Sequence, residues 1–254
     1  MLPHPTNYYF STLCMALQKR IWAEDFTAIF AFWENDSDAK SINKTYEMFM
    51  SRNVDGIITC NLQGINFSNE EKPTIVYGAE VENLDCVIVD HSVNRKAIEY
   101  LVSKGHEKIA FIVPKVNNLR LQGFLNAFSD FNLKINPDWL LTASCRETSR
   151  SAMQKLLAMK EKPTAIIGNN DILAIGAMNE ALRHGVKVPA EMAFIGYDDI
   201  DEAAYSYPSL TTFRNPLDSI ADSLTGLLFR RIGAPKAEIK HELIAPKFII
   251  RESA

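Results

Sequence analysis

Residues 193–199 read Ala193-Phe194-Ile195-Gly196-Tyr197-Asp198-Asp199. With Met192 in front, the run is apolar through Ile195 and lacks the polar alternation of a strand wetted on one face. It fits a strand covered on both faces, as in a parallel sheet. Gly196 ends the strand, and two carboxylates follow at its carboxyl end. In open α/β sheets ligands bind in the crevice beyond the carboxyl ends of the strands, so Asp198 and Asp199 stand where a ligand would. A solvated acidic turn is the plain alternative. The same form recurs in Ile166-Ile167-Gly168-Asn169-Asn170-Asp171: an apolar strand, a glycine, then polar residues opening onto a helix.

The 254 residues suffice for one large domain or two small ones. Hydrophobic residues make up 47% and charged residues 23%, ordinary for a globular protein with a sizeable core. A net charge of −4 offers no basic surface for nucleic acid. Cys14, Cys60, Cys86 and Cys145 lie far apart without a CxxC pair, which argues against a zinc or redox motif and for thiols in a reducing cytosol. No apolar run reaches membrane-spanning length, and no basic segment leads into an apolar one as in a signal peptide. A cytoplasmic location without metal or cofactor is the expectation.

Taken in order, Pro3 and Pro5 rule out a central strand at the start. Thr6 or Asn7 can cap a helix running through Leu13, Met15, Leu17 and Ile21. Tyr8, Tyr9 and Phe10 at its start cannot all face one core, since helix neighbours point about 100° apart. Strands are expected at 26–32, 54–59, 73–77 and 86–90, with a helix at 41–51 between the first two. A second round follows: helices at 97–104, 120–131, 151–159 and 172–184, and strands at 108–113, 139–142, 165–167 and 192–195. An amphipathic helix at 217–232 and strands at 239–244 and 247–250 close the chain. This alternation marks doubly wound parallel sheets. Two rounds joined near Asp90 imply an α/β protein of two subdomains with a ligand cleft between them. The expected division is 1–89 with 216–243, and 90–215 with 244–254.

Gly105-His106-Glu107-Lys108-Ile109-Ala110-Phe111-Ile112 and Arg120-Leu121-Gln122-Gly123-Phe124 resemble segments of the LacI/GalR family of bacterial transcription regulators. So do Asn170-Asp171-Ile172-Leu173-Ala174-Ile175-Gly176, Gly196-Tyr197-Asp198-Asp199 and Pro208-Ser209-Leu210-Thr211-Thr212. Asn7-Tyr8-Tyr9-Phe10-Ser11 is similar to its N-P-F-F-S segment, and Arg52-Asn53-Val54-Asp55-Gly56-Ile57-Ile58 to its R-x-VDGII. Order and spacing match along nearly the whole chain.

The resemblance implies a periplasmic-binding-protein-like core with three crossing segments and a small ligand, most often a sugar, between the subdomains. It implies ligand roles for Arg120, Asn170 and Asp198, with Tyr9 and Phe10 as apolar or stacking walls. The residue chemistry agrees, because sugar hydroxyls donate and accept at once. Asp accepts, the Arg fork donates, and Asn does both. A surface ion pair for Arg120 and a plain helix cap for Asn170 are the bland alternatives. The family usually opens with a helix-turn-helix domain, which is not in this sequence, nor is most of the central first strand expected before Leu2. The chain is therefore expected to be a fragment of a longer protein, touching operator DNA only through that domain and pairing as a homodimer. Asn94 replaces a frequent Gly, Tyr8 a frequent Pro, and residues 144–146 lack the family's usual ligand-stacking aromatic.

Three functions compete on these grounds: the effector-sensing core of a repressor, a secreted sugar-binding protein of a transporter, and an enzyme. The enzyme reading is weakest, since G-x-G-x-x-G after a strand, G-x-x-x-x-G-K-[ST] and G-x-S-x-G are all absent. No catalytic residue is assigned.

Overall fold

A computed structural model of the chain describes residues 2–3, 8–33, 39–60, 72–114 and 118–254. It forms two compact units, Met1–Asp90 with Pro216–Ile244 and His91–Asn215 with Ala245–Ala254, so the chain passes from one to the other three times. In the first unit, β1 (Leu2–Pro3), α1 (Tyr8–Ala23), β2 (Phe32–Trp33), α2 (Ala39–Ser51), β3 (Ile57–Thr59), β4 (Thr74–Tyr77) and β5 (Asp85–Val89) follow in order. The second unit continues with α3 (Arg95–Ser103), β6 (Ile109–Val113), α4 (Leu119–Asp130), β7 (Leu140–Thr142), α5 (Arg146–Ala158), β8 (Ala165–Gly168), α6 (Asp171–Arg183), β9 (Ala193–Ile195), α7 (Asp201–Tyr205) and β10 (Thr212–Arg214). Then α8 (Leu217–Gly233) and β11 (His241–Ile244) return to the first unit, and β12 (Lys247–Ile249) to the second.

The first unit is built on a parallel sheet in the order β11-β5-β4-β3. Successive residues of a strand face opposite sides. Ile75 and Tyr77 of β4 therefore pack with Leu13 and Leu17 of α1 and Leu224 and Leu228 of α8. Val76, from the same strand, packs with Ile42 and Phe49 of α2. Both faces are apolar, which is why these strands read as unbroken apolar runs. A buried ion cluster pins α8 to β5. Asp85, fully buried, accepts from Arg230 at 2.5 Å, Arg231 at 2.7 Å and the Lys240 main-chain N–H at 2.9 Å. Arg231, also buried, further donates to the carbonyls of Pro235 and Ala237. Removing one partner would strand a buried charge, at a cost of about 3–5 kcal/mol.

The second unit repeats the plan with the order β7-β6-β8-β9, all parallel. Ala110 and Ile112 of β6 face the core shared with α5 and α6, and Ile109, Phe111 and Val113 face Leu121, Phe124 and Phe128 of α4. β10 and β12 pair antiparallel, and Thr211, just before β10, bridges to Ile195 of β9.

Four sequence expectations need correction. The strand expected at 26–32 is reduced to Phe32–Trp33, which pairs with β1, and that expected from Val54 starts at Ile57. In both cases the missing part has no strand paired with it among the described residues, and a strand exists only as a pairing. The helix expected from Ser151 starts at Arg146, because Thr148 accepts from the Cys145 main-chain N–H and closes the first turn. β10 and α7 were not foreseen at all. Of the three aromatics opening α1, Tyr8 is exposed, Tyr9 buried and Phe10 half-buried. The expected caps, Thr6 and Asn7, lie outside the described residues.

Candidate functional site

The carboxyl ends of the strands in the second unit gather four loops. Between β6 and α4, the Asn118 side chain accepts from the Leu121 N–H at 2.8 Å and caps α4. Arg120 is thereby carried in the first turn. Its Nη2 lies 3.3 Å from Asp198 Oδ1. Its Nη1 donates to the Asn169 carbonyl. The guanidinium carbon sits 3.6 Å from the centre of the Tyr197 ring, a cation–π contact. Two loops, those after β8 and β9, thus converge on one guanidinium carried by α4, and its side chain is only 20% exposed.

Asp198 holds its place through an unusual backbone. Its φ is +107° and that of Asp199 is +53°, in territory that costs a non-glycine residue energy. Such strain persists only where surroundings enforce it, and it clusters at functional sites. Here the enforcement comes from Asp198 N–H donating to the Phe213 carbonyl at 2.8 Å and from Asn215 Nδ2 reaching Asp198 Oδ1 at 3.4 Å. The Asp198 side chain is 8% exposed. Asp199 plays another part: its two oxygens are taken by Arg214 and by Arg251, the latter at 2.6 Å. Of the two adjacent acids, Asp199 braces the loop and Asp198 meets the guanidinium.

Beneath them lies Asp171, fully buried at the start of α6. Its carboxylate accepts from the Thr212 hydroxyl at 2.5 Å and the Ile200 N–H at 2.9 Å, and its N–H donates to the Tyr197 carbonyl at 2.8 Å. Gly196 is glycine for this reason, since a Cβ there would sit 2.1 Å from Asp171 Oδ1. Asn170 caps α6 through its Oδ1, which accepts from the Leu173 N–H at 3.0 Å. The cap reading therefore holds for that oxygen, and only the amide nitrogen is left to offer. Asn169 Oδ1 and Asn215 Oδ1 are buried without a hydrogen-bond partner, an arrangement that needs explaining.

Burial raises the Asp198 carboxyl to about 6, against the opposing pull of Arg120. Burial likewise pushes Asp171 well above the usual carboxylate range, helped by the charge of Asp198 and opposed by the bonds from Thr212 and Ile200. The site is therefore a compressed set of acceptors, a donor fork and amides, with no nucleophile–base pair among the described residues. Among the described residues, no group of three or more His, Cys, Asp or Glu side chains could hold a metal.

The structure thus brings Arg120 and Asp198 together and puts Asn170 on the adjoining loop. Tyr9 and Phe10 belong to the first unit. Tyr9 is buried there with its hydroxyl bonded to that of Tyr77, and Phe10 meets Tyr9 edge-on at 5.1 Å. Sequence reasoning missed Asn169, Tyr197, Thr212 and Asn215. The polar residue after an apolar strand and its glycine was a usable signal for Asn169; Asn215 follows a strand that the sequence did not disclose, and nothing in the sequence marked a main-chain carbonyl or a stacking partner.

A carboxyl raised in the fold above its unfolded value favours the folded state when protonated. That contribution is fully present below about pH 3.8 and is lost as pH rises through about 6. Asp198→Asn, neutral and isosteric, should therefore gain thermal stability relative to wild type at pH 7.5 and lose that advantage at pH 4. Melting curves across this range check it. A wild-type-minus-variant difference that is flat with pH would contradict the raised carboxyl.

Residues 98–254 match the family model of the periplasmic binding protein-like domain. The HTH-type transcriptional repressor PurR of Histophilus somni is 30% identical over 262 residues, spanning 96% of this chain and 77% of that protein. A regulatory protein of the LacI family from Chloroflexus aggregans superposes with a TM-score of 0.83 at 26% identity, covering 99% of this chain and 96% of that one. A LacI family transcriptional regulator from Lactobacillus casei, solved with bound sucrose, gives a TM-score of 0.85 at 23% identity, covering 100% and 98%. With the two parallel-sheet units and the order of their loops, these similarities show that the chain belongs to the LacI family of transcription regulators, whose periplasmic-binding-protein-like ligand-binding core it forms.

Proposed function

We propose that this chain is the effector-sensing and dimerising core of a LacI-type transcriptional regulator, and that its effector is a sugar or similar polyhydroxylated molecule held by Arg120, Asp198 and Asn170. The observation that carries the reading is the Arg120–Asp198 pair, enclosed yet partly open, with unsatisfied amide oxygens of Asn169 and Asn215 close by in the chain's loops. A polyol supplies hydroxyl donors for those oxygens and for the carboxylate, and acceptors for the guanidinium. The sucrose bound to the Lactobacillus casei regulator supports the ligand class. The likeness to a repressor favours regulation over transport. Tyr9 and Phe10 are proposed to contribute apolar surface from the first unit, DNA is contacted through a separate domain, and the protein works in the cytoplasm. Signalling then follows from the ligand's differential affinity for two conformations. No helix among the described residues is long and apolar enough to cross a membrane.

Thermal-shift screening of mono- and disaccharides and nucleosides should yield a ligand, and calorimetry then tests the site. Asp198→Ala should weaken its binding by about 2–3 kcal/mol while leaving the fold intact, through donors left unpaired in a dry site. Unchanged affinity would remove Asp198 from the site.

The homodimer is supported by large apolar side chains left in solvent: Met15 and Trp22 on α1 of the first unit, and Tyr205 and Tyr207 of the second. A symmetric interface of the usual size buries more than about 1,200 Å² and would cover such groups. Sedimentation at micromolar concentration should give a dimer; a clean monomer would count against it.

A further inference from the structure

Asn94 is fully buried at the end of a single 3-10 turn, His91–Asn94, that leads into α3. An asparagine at such a point ordinarily caps the helix. This one does not: its backbone is already helical, at φ −61° and ψ −23°, and its side chain makes no cap bond. The amide turns to another helix instead. Its Nδ2 donates to the Arg120 carbonyl at 2.9 Å, and because only the nitrogen can face a carbonyl, the amide sits one way round. Its Oδ1 is then left buried, without a hydrogen-bond partner among the described residues. Such an oxygen costs stability, so stability alone does not account for the residue.

The contact falls where the donor fork of the candidate site begins. The Arg120 carbonyl lies in the first turn of α4, which the Asn118 cap holds at its end and Asn94 holds from the side. Gly123, one turn on, shares that face of the helix. A Cβ there would come within 2.5 Å of the His91 carbonyl and 3.0 Å of Asn94 Nδ2, so its absence lets α4 lie directly on the 91–94 turn. The same turn reaches the support of the Arg120 side chain. The His91 ring lies 6.2 Å from the Tyr197 ring, and Tyr197 carries the guanidinium at 3.6 Å. A slight rotation of the first turn of α4 would swing this long side chain off Tyr197 and away from Asp198, whose oxygen is 3.3 Å from Nη2.

We propose that Asn94 is a positioning residue: by fixing the main chain of Arg120 it keeps the guanidinium on Tyr197 and against Asp198, where it can donate to a ligand. Its part in binding rests on the reading of Arg120 as a ligand group, whereas the positioning is measurable with no ligand present.

The experiment compares the 254-residue protein with Asn94→Leu, Arg120→Ala and the double variant, all without ligand. Leucine keeps the branched shape and removes the donor together with the unpartnered oxygen, so Asn94→Leu should melt within a few degrees of wild type. Asn94→Ala repeats the comparison with a smaller side chain. Two signals then report on Arg120. Its side-chain Nε–H proton, assigned by its loss in Arg120→Ala, should move downfield in Asn94→Leu as the guanidinium leaves the face of the Tyr197 ring. The Asp198 carboxyl, followed by carbon-13 NMR, should titrate above its wild-type midpoint of about 6, because Arg120 is the group that pulls it down. The other charges nearby, Asp171 and the pairs of Asp199 with Arg214 and Arg251, are the same in every variant. Arg120→Ala should raise the midpoint by about one pH unit or more, Asn94→Leu by less, and the double variant by no more than Arg120→Ala alone. Wild-type signals in Asn94→Leu would overturn the proposal, as would a further rise when Asn94→Leu is added to Arg120→Ala. Loss of the fold in both Asn94→Leu and Asn94→Ala would overturn it too, by making Asn94 a packing residue. Failure of every sugar to bind would sink the sugar reading and leave these signals as expected.

Discussion

One buried carboxylate holds the candidate site together. Asp171 has no access to water, so each of its bonds to protein must stand in for hydration. It spends its oxygens on Thr212 and on the Ile200 main chain, and its own N–H on the Tyr197 carbonyl. Those contacts join the start of α6, the loop after β9 and the start of β10. Gly196 packs directly on this carboxylate, where a Cβ would clash, and two residues further on Asp198 and Asp199 adopt positive φ. Asp198 is thus aimed by a neighbour that never meets the surface. Arg120 then closes the arrangement from α4, resting on Tyr197 and bonding the Asn169 carbonyl.

This arrangement sets the electrostatics. Two acids lie close in a dry region, and a single guanidinium faces one of them. The neighbouring acid's charge adds to the rise of Asp171, whereas burial alone keeps the Asp198 carboxyl raised even with an arginine beside it. Such a carboxylate gains more from hydroxyl donors than a solvated one would, because the bonds replace solvation it has already lost. The proposed binding chemistry and the strain in the loop share these residues.

The doubly wound plan was legible in the sequence because the strands are covered on both faces and read as apolar runs between glycines. The Ile195–Gly196–Asp198 passage also disclosed which edge carries the polar groups. Its two acids were not separable by spacing; only the positions of Arg214 and Arg251, which arrive from distant segments, assign Asp199 to bracing. Asn170 was read as ligand or cap, and its oxygen is a cap. The stretch from Phe26 looked like a strand because its residues favour one, yet pairing depends on a neighbour that the local pattern cannot report. β10 was missed for the converse reason, since Thr212–Arg214 is short and owes its form to β12.

The most direct measurement is a carbon-13 NMR titration of the Asp198 carboxyl, assigned with Asp198→Asn, without and with a saturating sugar from the thermal-shift screen. The account requires a midpoint near 6 in the free protein and a clear downward move with ligand bound, as hydroxyl donors stabilise the charged form. A midpoint near the ordinary aspartate value, or one that the ligand leaves unmoved, would contradict it.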